Sequence, residues 1–302
     1  MKAHHPDRTT GVQPLTDQEF GRFQRLIYRT AGIQLAPHKK ALLEARLSRH
    51  VRELGFESFD AYYKHVVMAS HDEELMHMLD RVSTNETHFF REPRQFEFLE
   101  QRIFAEWREK ATAGLKPKRL RLWSAGCSSG EEAYSIAMVL LDHFPPHNGW
   151  VLEILATDLS TRALDKAHAG VWPIAKAQEI PEKYLKRYML RGAGAQNGQM
   201  KAGAEIRSVI HFERLNLNDQ RYPITGRFDA IFCRNVLIYF DAPSRTPVID
   251  RLIDRLMPSG YLFIGHAESL SGTTERVCHV TPTVYRMRPD EPRTPAIAGM
   301  EL

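Results

Sequence analysis

The sequence has few cysteines and no recognisable set of metal ligands. Its three cysteines, Cys127, Cys233 and Cys278, are far apart and odd in number. The chain has 14 histidines, but it contains no Cys-x-x-Cys pair, no Cys/His cluster and no His-Glu-x-x-His motif. Since zinc sites use closely spaced ligands of these types, we expect no bound metal.

Long apolar segments are also missing. No run approaches the roughly 18 residues that a membrane-spanning helix needs. Residues 1–14 carry charges and histidines rather than the apolar segment of a signal peptide. We therefore expect a cytoplasmic protein that does not insert into membranes. The net charge of +4 is mild for 302 residues and does not by itself indicate nucleic-acid binding.

The first part of the chain has helical periodicity and no strand pattern. We predict a loose tail over 1–14, a helical domain over 15–85, and a second loose tail over 289–302. Predicted helices lie around Phe20–Thr30, His38–Leu54 and Phe59–Met68. The apolar face of the middle helix consists of Leu43, Leu47, Val51 and Leu54. Its opposite arc carries Arg46, Arg49 and Arg52, which on their own indicate only a solvated charged face.

After Pro117 the pattern changes to strands that alternate with helices. The predicted strands are Arg119–Ser124, Val151–Ala156, Phe228–Cys233 and Tyr261–Gly265. The clearest helices between them are Glu131–Asp142 and Ser244–Leu256. This alternation predicts an α/β domain over 86–288 with a mainly parallel, doubly wound sheet and helices on both faces.

One stretch departs from this alternation. Met189–Lys201 is rich in Gly and Ala with a turn signal at Asn197-Gly198, and Arg207–Leu215 alternates polar and apolar residues. We predict a small inserted antiparallel β-subdomain at about 189–215.

The turn after the first strand is the best candidate for a ligand site. Ser124–Glu132 reads Ser-Ala-Gly-Cys-Ser-Ser-Gly-Glu-Glu, whose small residues allow a ligand to approach the backbone. Glu131 and Glu132 would repel a pyrophosphate, and they suit a cationic ligand such as S-adenosylmethionine. Asp158, at the end of the second strand, is placed to bind ribose hydroxyls. The pattern indicates a nucleoside cofactor; NAD remains an alternative, as does a helix-capping role for Asp158.

Three motifs, in order along the chain, carry a family resemblance. They are Thr84–Glu92 (TNETHFFRE), Ser124–Glu132 (SAGCSSGEE) and Cys233–Phe240 (CRNVLIYF). With them, residues from about Phe20 to Ser269 resemble the bacterial chemotaxis receptor methyltransferases, the CheR family. The resemblance implies a class I (Rossmann-like) S-adenosylmethionine-dependent methyltransferase domain with a helical N-terminal domain and a small β-subdomain.

The resemblance also implies roles for individual residues. The positions that match the family's cofactor site are Asn85, Thr87, Arg91, Ala125, Glu131, Asp158, Asn216, Leu217, Arg234 and Asn235. Arg91 and Tyr239 are the implied catalytic residues, with core packing the alternative for Tyr239 and Phe240. The implied product of the cofactor is S-adenosylhomocysteine.

The implied reaction is methyl esterification of glutamates on methyl-accepting chemotaxis receptors. Glutamates on receptor helices would dock against Arg46, Arg49 and Arg52. In some family members the β-subdomain binds a C-terminal receptor peptide by strand addition, which makes such a peptide a candidate partner here.

Other functions agree less well with the motifs. A NAD-dependent oxidoreductase would explain Asp158 but not Glu131, Glu132 or the segment Thr84–Glu92. A nucleic-acid methyltransferase is expected to carry an Asn/Asp-Pro-Pro-aromatic motif where Arg234–Leu237 stands, so we expect no nucleic-acid partner. Another protein methyltransferase, or a binding module without activity, remains an alternative.

Overall fold

The computed structural model describes residues 12–68 and 72–288. Most of the predicted N-terminal tail and all of the predicted C-terminal tail lie outside the described residues. The helices are α1 (Asp17–Ala31), α2 (Lys40–Glu53), α3 (Phe59–Met68), α4 (Asp72–Val82), α5 (Pro93–Phe98), α6 (Phe104–Thr112), α7 (Glu131–His143), α8 (Thr161–Ala169), α9 (Glu182–Tyr188), α10 (Ala204–Arg207) and α11 (Ala242–Asp254). The strands are β1 (Arg119–Ala125), β2 (Val151–Asp158), β3 (Val171–Pro173), β4 (Met189–Arg191), β5 (Gln199–Ala202), β6 (Ile210–Arg214), β7 (Phe228–Cys233), β8 (Leu256–Ile264), β9 (Val277–Thr281) and β10 (Val284–Met287).

Helices α1 to α4 enclose a separate apolar core. α1 begins with a capping box, in which the Thr16 side chain accepts from the amide of Glu19 and the Glu19 carboxylate accepts from the amide of Thr16. In α2, Leu43, Leu47 and Val51 are buried in this core as predicted. The prediction for Leu54 is wrong: it follows the last turn of α2 and is 43% exposed.

The main sheet has strand order β6-β2-β1-β7-β8-β10-β9. The first five strands are parallel, and β10 runs antiparallel to both β8 and β9. Successive side chains of a strand point to opposite faces, and Leu122 and Trp123 of β1 accordingly belong to different cores. Burial on both faces explains why β7 is apolar along most of its length.

A second, three-stranded antiparallel sheet has the order β3-β5-β4. It confirms an inserted antiparallel sheet but corrects the predicted extent of 189–215. The small sheet already begins at β3, and β6 belongs to the main sheet, where it pairs in parallel with β2. The alternation in Arg207–Leu215 therefore reflects an edge strand with exposed side chains, not a hairpin.

The order of the strands indicates where a ligand would bind. From β1 the chain proceeds to β2 and β6 on one side and to β7 and β8 on the other. In open α/β sheets, ligands bind at this reversal, beyond the carboxyl ends of the strands. In the part of the chain that the structure describes, no helix combines the length and apolarity needed to cross a bilayer.

Candidate active site

A cleft of about 1200 Å³ lies at the carboxyl ends of β1, β2 and β7, against the helical domain. Nearly all of the predicted site residues line it, namely Asn85, Thr87, Arg91, Glu131, Asp158, Asn216, Leu217, Arg234, Asn235 and Tyr239. Ala125 does not; it is buried at the end of β1, directly before the cleft-lining Gly126. The carboxyl ends of β1, β2 and β7 and the segment before α5 thus meet at one site.

The carboxylate of Asp158 is fixed by the backbone on two sides. The amide of Ser128, in the turn after β1, donates to Oδ2 at 2.8 Å, and the amide of Ser160 donates to Oδ1 at 2.8 Å. Burial raises the pKa of Asp158, and these amides oppose the rise. α8 is capped by the side chain of Ser160 instead, which accepts from Ala163. Asp158 therefore joins the ends of β1 and β2, and its remaining lone pairs are available to a ligand.

Residues 83–92, between α4 and α5, form a segment across the cleft that we call the strap. The hydroxyl of Ser128 donates to the carbonyl of Asn85 at 2.9 Å, and the amide of Phe89 donates to Oε2 of Glu179 at 2.9 Å. Phe90 and Glu92 have positive φ angles of 51° and 57°, which cost energy for residues other than glycine. The strap therefore depends on its contacts to hold this shape.

The strongest of these contacts involves Arg234, whose side chain is only 2% exposed. Its guanidinium lies 3.3 Å from Glu92 and 3.2 Å from Glu132, and it also donates to the carbonyl of Arg91. Glu132 further accepts from Ser124 at 2.6 Å. Burial raises the pKa of Glu132, and the Arg234 charge opposes the rise. Arg234, predicted to bind the cofactor, thus connects β7, the strap and the start of α7.

Glu131 is paired with a residue that the sequence did not suggest. Its side chain is 1% exposed, and Oε1 lies 2.7 Å from Nζ of Lys176. The Lys176 ammonium also donates to the carbonyl of Thr87 at 2.9 Å. Lys176 lies in a short 3-10 helix, Ile174–Glu179, that follows β3 and carries no recognisable motif. Only the folded chain brings it to the cleft.

The loop after β7 is shaped by a buried carboxylate. Glu268 accepts from the amides of Gly265, Asn235 and Ile238 at 2.6, 3.0 and 3.1 Å. Burial raises the pKa of Glu268, and these donors oppose the rise. Asn235 has a φ of 59° within this loop. The sequence analysis did not identify Glu268, because a lone glutamate outside any of the three motifs carries no local signal.

The next residues of this loop separate into two roles. Both line the cleft; Phe240 is buried and belongs to the core, whereas Tyr239 is half-buried and packs against that core. The helical domain holds both: Ile33 forms a β-bridge with Phe240, and the amide of Gln34 donates to the carbonyl of Tyr239 at 2.8 Å. Core packing therefore describes Phe240, while Tyr239 combines core packing with a place on the wall of the cleft.

Asn216 has a structural contact within the cleft. Its side-chain amide donates to the carbonyl of Thr30 at 2.8 Å, at the end of α1. Its neighbour Leu217 is buried and lines the cleft. Asn216 therefore fastens the helical domain to the sheet, and Leu217 supplies an apolar surface.

The three arginines of α2 do not form one solvated arc, contrary to the prediction. Arg46 is half-buried, lines the cleft and donates to the carbonyl of Val82 and, at 3.0 Å, to the Thr84 hydroxyl. Arg49 and Arg52 are exposed, and Arg49 lies 2.7 Å from Glu53. The difference arises because Arg46 is next to the apolar face of α2 and reaches the strap.

Nucleophilic cysteine chemistry has no support in the cleft. Cys127 and Cys233 are both buried, and burial raises the pKa of each thiol well above its usual value. Among the described residues, no group of His, Cys, Asp or Glu side chains is arranged to hold a metal ion.

Two models of known protein families match adjacent parts of the chain. The family model described as "CheR methyltransferase, all-alpha domain" matches residues 18–83, and the one described as "CheR methyltransferase, SAM binding domain" matches residues 85–286. The chain belongs to the CheR methyltransferase family. The second match contains the whole cleft apart from the contributions of the helical domain.

Curated members of the CheR family cover nearly the full chain. This chain is 36% identical over 274 residues to the chemotaxis protein methyltransferase of Borreliella burgdorferi, covering 90% of this chain and 95% of that protein. It is 36% identical over 277 residues to the chemotaxis protein methyltransferase of Escherichia coli K12, covering 91% of this chain and 93% of that protein.

We predict that Glu268→Gln lowers the free energy of unfolding by about 1–3 kcal/mol. Glutamine keeps one acceptor oxygen but turns an NH₂ group toward amides that also donate. Urea unfolding of the full chain measures the loss. Glu275→Gln, at an exposed position nearby, is the matched control and should change the value by less than about 0.5 kcal/mol. Equal stability of both variants would contradict the role given to Glu268.

Proposed function

We propose that this protein transfers the methyl group of S-adenosylmethionine to glutamate side chains of methyl-accepting chemotaxis receptors. The products are glutamate methyl esters and S-adenosylhomocysteine. The observation that carries the proposal is the cleft at the strand reversal, lined by Asp158 and Glu131 and crossed by the strap. Its residues belong to a CheR SAM binding domain, and the curated relatives are chemotaxis protein methyltransferases.

The residues of the cleft fit this cofactor. Asp158 would hold the ribose hydroxyls, Glu131 the amino group, and Leu217 the adenine. Oδ1 of Asn235 is buried without a hydrogen-bond partner among the described residues, which suits a ligand donor. The same carboxylates disfavour NAD, because they would repel its pyrophosphate.

The main contribution of the protein to this reaction is to position the two reactants. When bound, S-adenosylmethionine supplies a methyl group that its sulfonium already activates. A glutamate carboxylate, with an ordinary pKa of about 4.3, is ionised near neutral pH, so no general base is needed. The chain's residues orient the carboxylate and remove water from it. Arg91, half-buried on the strap, orients the acceptor, and Tyr239, which also lines the cleft, shapes the transfer path.

The direct test uses S-adenosylmethionine with a radiolabelled methyl group and membranes that contain chemoreceptors. We expect label on the receptor that mild alkali releases as volatile methanol, since a carboxyl methyl ester hydrolyses under these conditions. Receptor whose methylatable glutamates are replaced by alanine is the control. Alkali-stable label would indicate nitrogen methylation and contradict the proposal.

We predict that Arg91→Ala lowers kcat by about 100-fold, because it loses a charged group that positions the reactants. The melting temperature should stay near that of the parent, since among the described residues the Arg91 side chain makes one hydrogen bond, a long one of 3.4 Å to the carbonyl of Glu86. Arg94→Ala, at an exposed position of α5, is the matched control. Near-normal turnover by a folded Arg91→Ala protein would remove Arg91 from the mechanism.

Receptor docking is proposed at two surfaces of this cytoplasmic enzyme. Arg49 and Arg52 on α2 attract the glutamate-bearing receptor helices, and Arg46 marks the edge of the cleft. β4 is an edge strand of the small sheet with Leu190 60% exposed, and it offers backbone groups to a C-terminal receptor peptide. Such contacts recruit the enzyme to receptor arrays at the membrane. Calorimetric titration of a receptor C-terminal peptide against the parent and Arg191→Pro tests the second surface. The register directs the amide of Arg191 to the free edge of β4, so the variant should bind more weakly, and equal affinity would remove β4 from docking.

For the first surface, Arg52→Glu should raise KM for the receptor several-fold and weaken its dependence on salt. kcat and KM for S-adenosylmethionine should stay close to the parent values, because Arg52 does not line the cleft. The matched control is Arg227→Glu, an exposed position before β7 and at the other end of the sheet. Identical receptor kinetics in both variants would mean that Arg52 is a solvated surface residue with no part in receptor docking.

A further inference from the structure

Lys176 forms an ion pair with the buried carboxylate of Glu131. Its ammonium lies 2.7 Å from Oε1 of Glu131, while Oε2 of Glu131 accepts from Ser129 at 2.8 Å. The Lys176 side chain is 27% exposed and lines the cleft. One point of the cleft wall therefore presents a carboxylate and an ammonium side by side.

The ammonium has a donor left for a ligand. A lysine carries three N–H groups, and those of Lys176 reach two hydrogen-bond acceptors, Glu131 and the carbonyl of Thr87. Glu179 lies 3.9 Å away, beyond hydrogen-bond distance. The Thr87 contact fixes the direction of the lysine, so the remaining donor is available without reorganisation.

Two other cations of the cleft, Arg234 and Arg46, are already engaged by the protein, and Arg91 is the residue proposed to orient the acceptor. The Arg234 guanidinium is engaged by Glu92, Glu132 and the carbonyl of Arg91. Arg46 donates to the end of α4 and to the strap. An anionic ligand group beside Glu131 would meet repulsion from this carboxylate unless a cation stood next to it.

We propose that Lys176 is a cofactor-binding residue that recognises the α-carboxylate of S-adenosylmethionine. The Glu131–Lys176 pair is complementary to a zwitterion: Glu131 takes the ammonium of the amino-acid end, and Lys176 takes its carboxylate. The inference rests on the proposed function and adds a specific subsite to it. Lys176 comes from the insertion that carries the small sheet, so this insertion takes part in cofactor binding.

The test compares two ligands by titration calorimetry. S-adenosylhomocysteine has the amino-acid end, and 5′-methylthioadenosine has the same nucleoside and thioether without it. Lys176→Met should raise the Kd for S-adenosylhomocysteine about tenfold and change that for 5′-methylthioadenosine by less than about twofold. Lys176→Arg should restore most of the affinity. Lys183→Met, in the same insertion but outside the cleft, is the matched control and should leave both affinities unchanged.

The possible outcomes distinguish failure of this inference from failure of the proposed methyltransferase function. Equal weakening of both ligands would mean that Lys176 only holds the strap, and unchanged affinity for both would mean that it binds neither; each overturns the inference. A raised receptor KM with unchanged S-adenosylhomocysteine binding also overturns it. If Lys176→Met does not fold, Lys176→Gln, which keeps donors but no charge, gives the same comparison. A parent protein that binds neither ligand would overturn the proposed function itself.

Discussion

Beneath the cleft, the guanidinium of Arg234 joins three parts of the chain that are remote in sequence. Arg234 directly follows β7. Its guanidinium bonds to Glu132 at the start of α7, and to Glu92 and the carbonyl of Arg91 in the strap. All three side chains are largely withdrawn from water, so loss of one partner would leave an uncompensated buried charge. Such losses typically cost about 3–5 kcal/mol. The shape of the cleft depends on this network more than on any single ligand contact.

The parallel sheet and the helical domain add to this arrangement. The sheet brings the ends of β1, β2 and β7 to one edge, where Asp158 is held by amides from two turns. The helical domain is attached at the same edge, through Asn216 to Thr30 and through Gln34 to Tyr239. Its position is thus fixed relative to the reaction site. A surface that docks a receptor on α2 would therefore stand in a defined relation to the proposed point of transfer.

Much of this was predictable from local patterns, and the exceptions share a physical cause. An apolar run such as Phe228–Cys233 predicts a strand by itself, and the small residues of the turn Ser124–Glu132 predict a ligand site. The Thr84–Glu92 motif predicted that the strap belongs to the site. It did not predict that Glu179 and Lys176 hold the strap. Long side chains such as Arg46 and Lys176 take their roles from tertiary neighbours, which spacing along the chain does not encode. For the same reason β6 was assigned to the wrong sheet, since an exposed edge strand and a hairpin strand alternate alike.

The central claim is that Arg234 holds the strap over the cleft, and hydrogen–deuterium exchange of the strap in Arg234→Lys tests it most directly. Lysine keeps the charge but lacks the planar fork, in which one nitrogen reaches Glu132 and the other reaches Glu92 and the carbonyl of Arg91, so a single ammonium does not reproduce this geometry. The account predicts that the amides of Phe89 and Phe90 exchange about tenfold faster or more, while those of β1 stay protected. Strap amides that remain as protected as in the parent, in a folded Arg234→Lys protein, would contradict it.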